Sequence, residues 1–230
     1  MGHLEPVRDE VGEPGERRAV DAAFVRSWVE EVAQAVEAER DHLTQLDAAI
    51  GDADHGVNMH RGFSAAVAKL AAAESAPPGK VMTTVGATLI STVGGAAGPL
   101  YGTAFREAGK SLGEQEDVGP SELLSALRAG LDGVQRLGAA TVGDKTMVDA
   151  FAPAVEAFAG ELDAGGSLTA ATARAREAAE EGMRATVPLQ ARKGRASYLG
   201  PRSVGHQDPG ATSTALIFAA LERVARRFQP

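Results

Sequence analysis

Residues 21–46, DAAFVRSWVEEVAQAVEAERDHLTQL, set Phe24, Trp28, Val32, Val36, Leu43 and Leu46 three, four or seven positions apart, with acids and arginines between them. That spacing gathers the large apolar groups on one helical face and predicts a first helix ending near Leu46. The same period returns in Met59, Phe63, Val67 and Leu70 and stops at Pro77-Pro78, which forbid continuation. A third helix is predicted from Lys80 to Val93, closed by Gly94-Gly95, and a fourth from Pro99, a residue favoured at the first helical position. Further helices are expected from Ser121, as N-cap, to Leu137, from Thr146 to Phe158 with Pro153 near its first turn or at a kink, and from Leu168 to Thr186. A last one, from Gly210 to Arg227, carries Leu216, Ile217, Ala220 and Val224 on its apolar face. The fold class read this way is all-α with eight helices. Composition agrees, because aromatics are only 4% and alanine about a fifth of the chain, a balance that suits closely packed helices over sheets.

The 230 residues suit one domain, and 44% hydrophobic with 23% charged residues is a globular balance. No apolar run approaches the roughly 18 residues of a membrane span. A net charge of −8 opposes a phosphate backbone, so no nucleic acid and no membrane is expected as partner. The absence of cysteine removes disulfides, thiolate metal sites and thiol nucleophiles, which fits a reducing compartment. The opening stretch lacks the apolar core of a secretory signal, so a cytoplasmic location is expected. Residues 1–20, rich in charge, glycine and proline, read as a mobile tail ahead of a domain over 21–230.

Chemistry concentrates in four places. Residues 46–58, LDAAIGDADHGVN, hold Asp47, Asp52 and Asp54 beside His55 and Asn58. On a helix Asp52 and Asp54 would diverge by about 200°, whereas a glycine-flanked turn can bring them together with Asp47. Three carboxylates so placed repel by several kcal/mol at about 4 Å with an effective dielectric of about 20, unless a cation neutralises them. An all-oxygen donor set points to Mg²⁺; a calcium loop fails, since its twelfth position falls on Asn58 or Phe63 and not on Glu. The bland alternative is a solvated acidic turn with Asp54 or His55 capping the next helix.

Residues 94–102, GGAAGPLYG, let backbone N–H groups approach an anion at a helix N-terminus, or else form an ordinary helix–helix turn. There is no G-x-x-x-x-G-K-[ST] phosphate loop. In 143–151, GDKTMVDAF, Asp144 and Thr146 read as helix caps, with Lys145 or the backbone as the alternative ligand contact and Met147 as core. The stretch from Pro188 to Pro209 runs for about 20 residues without helical periodicity, a length that is often functional. It carries Arg195, Arg202, His206 and Asp208, and arginine suits developing phosphoryl charge; solvated surface arginines are the other reading.

Taken in order, LDxxxGDxDHGxN, GGAxGPLYG, GDKTM-D and GRASYLGxRSxGHxDPGA resemble the ADP-binding L subunit of dihydroxyacetone kinase over residues 21–230. The resemblance implies eight antiparallel helices closed into a barrel, with ADP or ATP in the loops at one end. It implies that Asp47, Asp52 and Asp54 hold two Mg²⁺ bridging to the phosphates, and that His55 and Asn58 contact the nucleotide. By the same likeness Gly94, Gly95, Ala96, Ala97 and Gly98 wrap the phosphates, and Gly138 and Met147 lie against the adenosine. Arg195, Asp208, Pro209 and Gly210 complete the pocket, with Arg195 as the candidate stabiliser of the transferring phosphoryl group. Ala97 departs from the serine usual in the family and removes a hydroxyl from the phosphate loop.

The resemblance also implies a separate dihydroxyacetone-binding K subunit and leaves room for a homodimer. It leaves open whether bound ADP is recharged by a phosphohistidine donor protein, the M subunit, or replaced by ATP from solution. The expected activity is therefore a kinase subunit active only with its partner. The alternatives are a kinase subunit for another keto-sugar or carrier-bound acceptor, a non-catalytic regulatory nucleotide-binding module, and a purely structural helical protein.

Overall fold

The computed structural model describes residues 20–73 and 75–228. Nearly all of the predicted tail lies outside the described residues. Val20, assigned to it, is instead fully buried and pairs with Val118. Strand β1 (Val20–Asp21) and strand β2 (Asp117–Val118) form a two-stranded antiparallel ladder, which amends the all-α reading.

Among the described residues there are nine α-helices and one 3₁₀ segment, where eight helices were predicted. The first predicted helix is two, α1 (Ala22–Ala38) and α2 (Arg40–Ile50), broken at Glu39. The Asp21 side chain caps α1 by accepting from the Phe24 N–H at 2.8 Å. Then come α3 (His55–Ala71), α4 (Pro78–Thr92) and α5 (Ala97–Leu112). Helix α5 starts two residues before Pro99, whose missing N–H costs nothing in a first turn.

Helix α6 (Pro120–Gly138) is capped by Gly119, whose N–H donates to the Glu122 carboxylate at 3.0 Å, and not by Ser121 as expected. In α7 (Val148–Asp163) Pro153 lies past the first turn and leaves the Asp149 carbonyl without its helical donor. Gly182 of α8 (Leu168–Ala185) packs onto that carbonyl, where a Cβ would come within 2.1 Å. The loop after α8 contains the 3₁₀ segment Arg195–Ser203, bent at Gly200 (φ 55°), and leads into α9 (Pro209–Phe228).

From α3 to α9 each helix packs on the next, α9 returns to α1, and α1 packs on α3. Inside lie the predicted apolar residues Phe24, Trp28, Val32 and Val36 with Phe63, Phe105, Phe151 and Phe218. Trp28 is tied by its indole N–H to the Ile217 carbonyl at 3.0 Å. No helix among the described residues is long and apolar enough to cross a membrane. The connections α2–α3, α4–α5, α6–α7 and α8–α9 all reach one cleft, which fixes where the site is.

Candidate functional site: a carboxylate turn facing a glycine loop

Asp47 sits in the last turn of α2, not in the loop where the sequence placed it. Buried there, its Oδ2 accepts the backbone N–H groups of Asp54 (2.9 Å) and His55 (3.1 Å). The carboxylate thereby caps α3 from the preceding helix, while Asp54, at the N-cap position, makes no side-chain cap bond. The turn is shaped for this. A Cβ on Gly51 would lie 2.0 Å from Asp47 Oδ1, and Ala53 adopts a left-handed φ of 62°.

One carboxylate oxygen from each of Asp47, Asp52 and Asp54 lies within 4.8 Å of the others. The predicted trio is assembled, and its oxygen donors fit a hard divalent cation. Asp52 also pairs with the exposed Arg195, whose Nε is 3.0 Å from Oδ2, so the long loop reaches back across the cleft to the acidic turn.

The glycine loop stands beside that turn. A Cβ on Gly94 would meet the Asn58 carboxamide at 3.0 Å, so glycine allows the close approach. Asn58 Oδ1 accepts from Arg61 at 2.7 Å, and Arg61 Nε donates to the Thr92 carbonyl at 2.8 Å, joining α3 to the end of α4. Gly95 has φ 64°, and α5 begins at Ala96-Ala97 without a side-chain cap. Its first N–H groups, unpaired within the helix, together with the helix dipole favour an anion.

The cleft, with an empty volume of about 1200 Å³, is lined by every predicted site residue except Gly98. Gly98 packs beneath the loop, where a Cβ would strike the Val93 carbonyl at 2.3 Å. Gly138 and Met147 lie on its apolar side with Leu100, Val134 and Ala140. Asp208, Pro209 and Gly210 form the α9 end, where Asp208 Oδ2 accepts the Ala211 N–H at 2.7 Å. Burial pushes the Asp208 carboxyl up to about 7; the Ala211 N–H and Lys145 oppose the rise, and the negative Asp149 and Asp47 add to it.

His55 Nε2 is 2.9 Å from Ser213 Oγ, which lies 2.7 Å from the Tyr101 hydroxyl. Burial lowers the His55 pKa against the pull of Asp47 and Asp54, and burial raises that of Tyr101. Sequence reasoning missed this chain and also Thr146 and Lys193, which line the cleft. Tyr101 was legible in GGAAGPLYG, but Ser213 follows 112 residues later. Asp144 does not cap α7 as predicted, since its carboxylate accepts from Thr141 N; Thr146 Oγ1 does accept the N–H of Val148, the first residue of α7, at 3.1 Å, although the N-cap position falls on Met147. Nor does the Lys145 ammonium face the cleft as a free ligand, because it is spent on backbone carbonyls.

The DAK2 domain model matches residues 49–223. The chain is 44% identical over 200 residues to the ADP-binding subunit DhaL of a PEP-dependent dihydroxyacetone kinase from Escherichia coli K12, covering 87% of this chain and 95% of that one. It is 39% identical over 183 residues to L-erythrulose 1-kinase from Mycolicibacterium smegmatis, covering 78% of this chain and 31% of the relative. A crystal structure of the dihydroxyacetone kinase of C. freundii in complex with AMP-PNP and Mg²⁺ superposes with a TM-score of 0.66 at 26% identity, over 97% of this chain and 38% of that one. The chain belongs to the DAK2-domain family.

Proposed function

We propose that this chain is the ADP- and ATP-binding subunit of a dihydroxyacetone kinase and that the cleft holds the nucleotide through two Mg²⁺. The observation that carries the reading is the trio of carboxylate oxygens within 4.8 Å, beside an uncapped helix N-terminus and its glycine loop. Bound Mg²⁺ would supply charge neutralisation between carboxylates and phosphates. Asp47, Asp52 and Asp54 would be its ligands. Gly94, Gly95, Ala96 and Ala97 would approach the phosphates with backbone N–H groups, and Ala97 brings no hydroxyl to them. His55, held by Ser213, and Asn58, held by Arg61, would present fixed polar groups. Gly138 and Met147 would cover the adenosine, and Asp208, Pro209 and Gly210 would close the pocket.

Phosphoryl transfer needs placement and charge stabilisation more than covalent chemistry, so no nucleophile is required of this chain. Arg195, paired with Asp52 at 3.0 Å, would meet the transferring charge. The helix order supports an eight-membered barrel in which α1 and α2 act as one bent stave. The likeness to subunits of a multi-subunit kinase supports a separate K subunit that would hold the dihydroxyacetone. The name of the Escherichia coli relative supports phosphoenolpyruvate as the ultimate donor, for which a phosphohistidine M subunit would be the carrier, the alternative being ATP taken from solution. The complex would work in the cytoplasm, and a homodimer of this chain is compatible with the reading.

The 39% identity to an erythrulose kinase favours a second reading in which the acceptor is a four-carbon keto-sugar. The test is mass spectrometry of the gently purified chain for retained ADP, followed by transfer assays with the cognate K subunit and both sugars. Phosphorylated dihydroxyacetone formed only when this chain is present is expected. Preference for erythrulose moves the acceptor, and no retained or added nucleotide binding overturns the reading.

A further inference from the structure

Lys145 is a lysine with 1% of its surface exposed, on a backbone with φ 62°, a conformation that lysine rarely adopts. The turn that presents it is braced. The Asp149 carboxylate accepts the N–H groups of Gly143 (2.6 Å) and Thr146 (2.7 Å), and the Asp144 carbonyl accepts the Arg192 N–H at 3.0 Å. The ammonium donates to the carbonyls of Thr186 (2.8 Å), Leu189 (3.1 Å) and His206. An ammonium has three donors, so all are used.

Those three carbonyls are the two roots of one loop. Thr186 and Leu189 begin the stretch that leaves α8, and His206 stands just before α9. Beside the lysine the same roots are joined by Gly205 N–H to the Val187 carbonyl (2.8 Å) and Asp208 N–H to Thr186 Oγ1 (3.0 Å). Between the roots, the loop extends to Arg195 at the acidic turn. The two bonds between the roots close the loop's neck and Arg192 N–H ties one side of it to the Asp144 carbonyl, while Lys145 ties both roots to the α6–α7 turn that floors the cleft. Burial lowers its pKa, with the negative Asp208 and Asp149 opposing that and favouring the charged form.

We infer that Lys145 is a positioning residue whose ammonium locks the roots of the 187–208 loop and so fixes Arg195 over the bound nucleotide. This rests on the nucleotide reading of the cleft given above. Removing the ammonium takes a donor from all three carbonyls, of which only that of Thr186 keeps another, the Leu189 N–H at 3.1 Å, and frees the loop to pivot. The backbone of the Asp47, Asp52 and Asp54 turn is held by other bonds, so there only the Asp52–Arg195 pair loosens.

The test uses the full chain with Lys145→Met, Arg195→Ala and the double variant. Mg²⁺-ADP affinity is read by calorimetry, Mn²⁺ affinity without nucleotide by electron paramagnetic resonance, and loop mobility by hydrogen exchange. Lys145→Met should weaken Mg²⁺-ADP by about tenfold, leave Mn²⁺ affinity unchanged or raise it by up to about fivefold as the Asp52–Arg195 pair loosens, and speed exchange in 187–208 above that elsewhere. The double variant should bind Mg²⁺-ADP no more than about twofold more weakly than Arg195→Ala, because the lysine acts through the arginine. Multiplicative losses in the double variant, equal losses of Mn²⁺ and Mg²⁺-ADP affinity, or unchanged exchange would overturn the inference. If Lys145→Met does not fold, Lys145→Gln, which keeps a neutral N–H donor, is judged by the same criteria. Failure of the wild type to bind Mg²⁺-ADP would instead sink the nucleotide reading, and the exchange measurement would still decide the anchor.

Discussion

Asp47 and Asp52 belong to one carboxylate cluster, yet the structure gives them different duties, and truncating each to alanine separates these. Asp47 is 8% exposed and its Oδ2 accepts two backbone N–H groups, at 2.9 and 3.1 Å. Hydrogen bonds to a charged group contribute about 1.5–3 kcal/mol each, and water entering this half-open turn recovers part of that, so Asp47→Ala should cost roughly 2–4 kcal/mol. At about 2–4 °C per kcal/mol for a chain of this size, its Tm should fall by roughly 4–16 °C. Asp52 holds an ion pair with Arg195 in which both side chains are well exposed, and such pairs contribute about 0–1 kcal/mol. Asp52→Ala should therefore melt within about 4 °C of wild type. The assay is urea and thermal unfolding in chelator-treated buffer, followed by the fluorescence of the buried Trp28. Both variants should lose the stabilisation that Mg²⁺ gives wild type. Equal stability of the two variants in metal-free buffer would refute this division of labour.

Other consequences are as direct. A Cβ on Gly56 would meet the Arg40 carbonyl at 2.0 Å and Thr44 Oγ1 at 2.5 Å, so Gly56→Ala should push α3 off α2, cost about 2–3 kcal/mol in denaturant unfolding and weaken metal binding. Arg195→Ala removes a cation that competes for Asp52, so Mn²⁺ affinity without nucleotide should rise by up to about fivefold while Mg²⁺-ADP affinity falls. Because the folded Asp208 pKa of about 7 lies above its unfolded value, the folded state binds more protons there and this group's contribution falls as pH rises from about 4 through 7. Asp208→Asn, measured by urea unfolding at pH 5 and pH 8, should gain roughly 2–4 kcal/mol relative to wild type at the higher pH. An unchanged difference between the two pH values would contradict the buried carboxyl.

Much of this site was legible because its chemistry is local in the chain. Asp52, Asp54, His55 and Asn58 fall within seven residues, and only a turn lets the first two carboxylates converge. The helices were legible for the same reason, through the spacing of Phe24, Trp28, Val32 and Val36. The break at Glu39 was not, since EAERD has good helix formers on both sides and the bend answers to packing of α2 on α3. Strands of two residues leave no periodicity to read, so Val20 was assigned to the tail. Asp47 was read as loop, although its helix continues through Ala48-Ala49-Ile50. Least legible was Lys145, whose partners lie 41, 44 and 61 residues away and are backbone carbonyls without a sequence signature.

The measurement that tests the account most directly is calorimetric titration of ADP into the metal-stripped chain, with and without Mg²⁺, for wild type and Asp52→Ala. Wild type should bind ADP in a Mg²⁺-dependent way, and Asp52→Ala should bind it at least about tenfold more weakly with the fold intact. Equal ADP affinity with and without Mg²⁺, or unchanged affinity in Asp52→Ala, would contradict it.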